Sequence, residues 1–94
     1  MGLDFEWHDA KAQANELAHG VSFELATTVF RDAFAVERID DREDYGEKRF
    51  VIIGMAEGDI LLAVAYTERG ERIRIISARR ATRYEQNDYF EQNT

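Results

Sequence analysis

Ninety-four residues, 45% hydrophobic and 33% charged, suffice for one small core and are too few for two, so residues 1–94 read as a single globular domain. The net charge of -7 disfavours polyanions overall, and the lack of cysteine excludes disulfides, thiolate metal sites and thiol nucleophiles. The longest apolar run, Ile60 to Ala65, is far short of a membrane span, and Met1 to Trp7 lacks the basic-then-apolar order of a signal peptide; the cytoplasm is the expected compartment, with no membrane partner.

Leu3 to Trp7 alternates apolar and polar residues, the period of a short half-buried strand, and Asp9 stands where a helix N-cap would stand. Ala10 to Ala18 are good helix formers with Ala10, Ala14, Leu17 and Ala18 on one apolar stripe, and His19-Gly20 supplies a left-handed stop. Ser22 caps a second helix, in which Phe23, Ala26, Val29 and Phe30 recur at helical spacing until about Arg31. Ala33 to Ile39 is apolar enough for a strand, and the acidic stretch Asp40 to Glu47 reads as a solvated loop. Arg49 to Ala56, Ile60 to Thr67 and Arg72 to Ala78 are rich in Val, Ile, Phe and Tyr and are separated by Glu57-Gly58-Asp59 and Arg69-Gly70-Glu71, which predicts an antiparallel meander. Thr82 then caps a closing helix to about Gln92. The expected class is α+β: a short N-terminal strand, two helices, an antiparallel sheet and a C-terminal helix.

Six of the twelve basic residues fall between Glu68 and Arg83, a local positive field in an acidic chain. In Arg72-Ile73-Arg74-Ile75, strand alternation puts the arginines on one face and the isoleucines on the other, which by itself describes an ordinary solvated face. Arg79 and Arg80 follow at the strand end, next to the helix N-terminus at Thr82, where guanidinium groups beside free backbone N–H groups make a phosphate site; a phosphodiester ligand is expected. His19, in the last helical turn, suits the helix dipole and is also able to exchange protons with a ribose hydroxyl or a leaving oxygen. His8 reads as a surface residue, and two histidines without a glutamate at ligand spacing argue against a metal site. Trp7 is either plain core or a base-stacking surface, Lys11 a solvent-facing charge, and Lys48-Arg49 a set of partners for Glu47 or Asp44. The acidic segment Glu37 to Glu47 is either solubilising or a recruiter of a basic partner.

Phe5-Glu6-Trp7, Lys11, Asn15, His19-Gly20-Val21-Ser22-Phe23, Arg49-Phe50-Val51, Tyr66-Thr67-Glu68-Arg69-Gly70 and Arg72 through Thr82, in this order, resemble the BrnT toxins over nearly the whole chain. The resemblance implies a RelE-like fold and a ribonuclease that is the toxin half of a type II toxin-antitoxin pair. It also implies binding to a DNA-binding BrnA antitoxin, contact with operator DNA only through that antitoxin, and no cofactor. Carried over by position, Lys11, His19, Arg49, Arg79 and Arg80 are the expected catalytic residues, and Trp7, Arg72, Arg74 and Arg83 the expected RNA-binding ones, with no metal ligand. The chain departs from the family pattern at Ala18 and Tyr84, where many relatives carry a basic residue; each change removes positive charge from the expected RNA face.

Overall fold

The computed structural model describes residues 2–94. Strand β1 (Asp4–Glu6) leads into helix α1 (Asp9–His19), then helix α2 (Phe23–Thr27), which tightens into a 3-10 turn over Thr28–Arg31. Strands β2 (Val36–Asp40), β3 (Arg49–Ala56), β4 (Ile60–Arg69) and β5 (Arg72–Arg80) follow, and helix α3 (Arg83–Gln92) closes the chain. The five strands form one sheet in the order β1-β5-β4-β3-β2; β3, β4 and β5 are antiparallel to one another, as the meander predicts, β2 pairs antiparallel with β3, and β1 lies parallel to β5 at the edge.

Helices cover the two sheet faces unequally. On the first, α1, α2 and the 3-10 turn bury Phe23, Ala26 and Val29 against Ile52, Leu62, Val64, Tyr66, Ile75 and Ala78, a continuous apolar core. On the second, α3 covers only one end, where Tyr89 and Ala81 meet Ile53 and Ala63. Tyr89 is anchored further by its hydroxyl, which donates to Asp32 at 2.7 Å. The rest of that face, toward the start of β3 and β5, carries polar and charged side chains.

Local chemistry explains the helix ends. Gly20 ends α1 at φ 68, a left-handed conformation that glycine adopts without a Cβ clash. The Ser22 hydroxyl accepts from Leu25 N–H at 3.0 Å, and Thr82 with Glu85 forms a reciprocal capping box at the start of α3. Asp9 is not the cap of α1: it is the first helical residue, favourable there for its charge, and the cap position belongs to His8, whose side chain makes no capping bond.

The stripe Ala10, Ala14, Leu17 and Ala18 does not face the core; all four are exposed, Leu17 at 91%. The buried face of α1 is instead centred on Asn15, with Ala12 beside it. The cause is at the edge of β5. Since β1 pairs only with Arg72 to Arg74, the backbone of Ala78 has no strand neighbour on that side, and Asn15 takes the place of one. Its amide donates to Ala78 O at 2.8 Å and to Val21 O at 3.0 Å, while its Oδ1 accepts from Ala78 N–H at 3.1 Å. A buried sheet edge left unpaired costs more than an exposed leucine, so polar pairing sets the rotation of α1.

Candidate functional site

The second sheet face gathers Arg49 on β3, Thr67 on β4, Arg72, Arg74, Ser77 and Arg79 on β5, and Glu6 on β1. One irregularity decides this set. Ala65 pairs with Ser77 and Tyr66 with Ile75, so Ile76 is an extra residue in β5. Strict alternation would put Arg80 beside Arg72 and Arg74; the bulge shifts the phase and brings Arg79 there. Arg80 pairs with Leu62 in the register of the other face, and its exposed side chain lines a separate pocket with Asp59, Ile60, Gln86 and Phe90. The two adjacent arginines are therefore not one cluster.

The positive field expected from the arginine stretch is largely neutralised. Arg79 is held by Glu85 through two bonds, 2.6 and 2.9 Å, in a bidentate fork. Arg74 donates to Glu6 at 2.8 Å, and Arg72 lies 3.9 Å from the same carboxylate. Arg49 donates to Glu47 at 3.2 Å and stacks over the Tyr45 ring at 4.1 Å, with Arg69 3.7 Å from Glu47. Lys11, Arg80 and Arg83 make no ion pair among the described residues. Lys11 and Arg83 lie exposed in the first turns of α1 and α3.

Trp7 packs edge-to-face on Phe23, ring centroids 5.9 Å apart, and joins the first core. Of its two sequence readings, the structure gives the packing one. Lys11, Asn15 and His19 recur every four residues and so occupy one stripe of α1. Asn15, in the middle of that stripe, binds Ala78 at the edge of β5, and both Lys11 and His19 are exposed. Among the described residues, no three of His, Asp and Glu come together as a metal-holding group.

Beside the arginine face, a cleft of about 260 Å³ opens between β2, the loop after it and α3, lined by Arg38, Asp40, Arg42, Val51, Tyr84 and Glu85 among others. Arg38 pairs with Asp88, and Arg42 with Asp40 at 2.8 and 3.0 Å. Tyr84, in the first turn of α3, is 77% exposed. The Arg79 bond holds the Glu85 carboxyl below its ordinary range, outweighing burial, and the Arg42 guanidinium does the same for Asp40. Glu85 in turn makes Arg79 harder to deprotonate.

Two framing residues had no assigned role in the sequence. Asp32 is partly buried, which raises its pKa, but bonds from Met55 N–H, the Tyr89 hydroxyl and Phe34 N–H outweigh that and hold it low. It ties the turn before β2 to β3 and α3. Asn15 fixes α1. A short polar residue amid helix formers was the available signal for Asn15; Asp32, between Arg31 and Ala33, had none.

The described helices include none long and apolar enough to cross a membrane. No curated protein matches the chain. The crystal structure of the ribonuclease toxin BrnT of Brucella abortus is similar in fold, with a TM-score of 0.59 at 23% identity, covering 87% of this chain and 100% of that one. A family model described as "Ribonuclease toxin, BrnT, of type II toxin-antitoxin system" matches residues 7–85, from Trp7 at the end of β1 to Glu85 in the first turn of α3. That match takes in every element from α1 to the arginine face, in agreement with the resemblance of the sequence, and the chain belongs to the BrnT family of ribonuclease toxins.

Proposed function

We propose that residues 1–94 form one catalytic domain that cleaves RNA at the α3-side face of the sheet, by acid–base chemistry of its own side chains. The observation that carries this reading is the bulge at Ile76, which puts Arg79 on the same sheet face as Arg72 and Arg74, at the margin of α3, on the strand whose edge Asn15 of α1 binds. Cleavage requires removal of the 2′-hydroxyl proton, attack of that oxygen on phosphorus and protonation of the departing 5′-oxygen. Arginine forks suit the added negative charge on the phosphoryl oxygens, and histidine and lysine suit the proton transfers. In this reading Arg79, Arg74 and Arg49 hold phosphate, Arg72 and Arg83 contact flanking backbone, and His19 with Lys11 moves protons; Arg80, turned to the other face, has no part in it. Trp7 supports the site from the core.

The partner is a BrnA-like antitoxin that neutralises the toxin and carries it to operator DNA. A second reading, a weakened toxin that acts as an antitoxin-bound co-repressor, is favoured by one observation: the Arg79 fork is already filled by Glu85. The test is expression from a tight promoter with and without the neighbouring gene, alongside RNA cleavage by the purified protein. The nuclease reading expects toxicity relieved by co-expression and a roughly hundredfold slower cleavage for Arg79→Ala, in line with the loss of one charge-stabilising donor. Normal growth, intact RNA and an Arg79→Ala variant no different from wild type would leave the co-repressor.

A further inference from the structure

Arg79 and Glu85 form the tightest bidentate ion pair on the open face, and their environments differ. The Arg79 side chain keeps 41% of its surface exposed, so a ligand can reach the guanidinium from solvent, whereas Glu85 is 17% exposed and packed behind it. Glu85 also has a second anchor. Its Oε1 accepts from Thr82 N–H at 2.8 Å within the capping box, while Oε2 bonds only Arg79, at 2.9 Å. Oε1 also accepts the 2.6 Å bond from Arg79, so a ligand that takes the guanidinium must displace both carboxylate bonds; the cap of α3 survives this because Glu85 N–H still donates to the Thr82 hydroxyl at 3.2 Å. Two carboxylate oxygens on a guanidinium fork have the shape and charge of two phosphoryl oxygens, so a phosphodiester and Glu85 compete for the same N–H groups.

We infer that Glu85 is a built-in competitor for the phosphodiester: the Arg79 guanidinium is an anion site that the protein keeps filled with its own carboxylate, and RNA gains it only by displacing Glu85. The inference rests on the ribonuclease reading of the sheet face and adds a residue that sets RNA affinity there. It also gives a reason why a chain of net charge -7 keeps a set of arginines on one face without standing exposed to every polyanion.

Glu85→Gln is the decisive variant, because glutamine at the third helical position still completes a capping box while removing the charge. Glu57→Gln, an exposed turn residue, is the control for an equal charge change elsewhere. Binding is read with a short 2′-O-methyl oligoribonucleotide, which lacks the attacking hydroxyl, over a range of salt concentrations. One additional uncompensated phosphate contact steepens the dependence of log K on log salt by about 0.7 for a single strand, which near 0.1 M salt corresponds to roughly fivefold tighter binding. Glu85→Gln is expected to show both changes and Glu57→Gln neither. If Glu85→Gln binds no tighter than Glu57→Gln while Arg79→Ala still slows cleavage roughly a hundredfold, the competitor role is wrong and the nuclease reading stands. If Arg79→Ala cleaves like wild type, the reading beneath it fails and takes this inference with it. Should Glu85→Gln melt below the assay temperature, Glu85→Asp draws the charge back by one methylene, and wild-type affinity in that variant overturns the proposal.

Discussion

Replacing Asn15 with alanine tests the claim that a side-chain amide, rather than an apolar stripe, holds α1 on the sheet. The substitution removes three hydrogen bonds, two donated to Ala78 O and Val21 O and one accepted from Ala78 N–H. At about 1 kcal/mol net each, the loss is about 3 kcal/mol, and more if Ala78 N–H stays buried without a partner. The better helix propensity of alanine returns roughly 0.6 kcal/mol, leaving a net destabilisation of about 2–3 kcal/mol. For a domain of this size that corresponds to a fall in Tm of roughly 10–20 °C, read by circular dichroism and checked by urea unfolding. Asn15→Asp is expected to be worse than alanine, because a carboxylate would face two carbonyl oxygens where the amide donated to them. A loss below about 1 kcal/mol for Asn15→Ala, or an aspartate variant more stable than the alanine one, would refute the reasoning.

Leu17→Gln, on the exposed stripe of the same helix, should change stability by no more than about 0.5 kcal/mol in the same melts, since it leaves no cavity. Gly54→Ala should destabilise by about 1–3 kcal/mol in urea titration: a Cβ there would stand 2.9 Å from Val29 Cγ1 and 3.0 Å from Ala35 Cβ. Stability should also fall at both ends of the pH range. Asp32, Asp40 and Glu85 have folded-state pKa values below their ordinary 3.8, 3.8 and 4.5, so the unfolded chain binds more protons; their contribution is present above those values and drains away as pH falls through the folded ones. Burial and the bond to Asp32 push Tyr89 up to about 12 from 10.0, so its contribution holds below pH 10 and is lost as pH rises toward 12. An alkaline transition unchanged in Tyr89→Phe would show that another group controls it.

Much of the architecture could be read from residue order. The strand β3 runs over Arg49–Ala56 as alternation and turn residues indicate, the caps Ser22, Gly20 and Thr82 act as their chemistry requires, and the acidic stretch after Asp40 is a loop. These features depend on neighbours within a few positions, where φ/ψ preferences and hydrogen-bonding reach decide the outcome. The parallel seat of β1 beside β5 was not legible, because pairing across nearly seventy residues leaves no local trace. The buried face of α1 was misread for a related reason. Four apolar residues at helical spacing mark a core face only when nothing on the facing element needs a polar partner, and the bare edge of β5 does.

Residue types alone were enough to establish that arginine dominates the last strand, that histidine and lysine stand four positions to either side of Asn15, and that no thiol chemistry is available. Which arginine shares a face with which was decided only by the fold, since one unpaired residue at Ile76 reverses the phase of everything after it. The partnership of Arg79 with Glu85 follows from the same cause: the bulge turns that guanidinium toward α3, whose capping box holds a carboxylate at the distance where charge and geometry match.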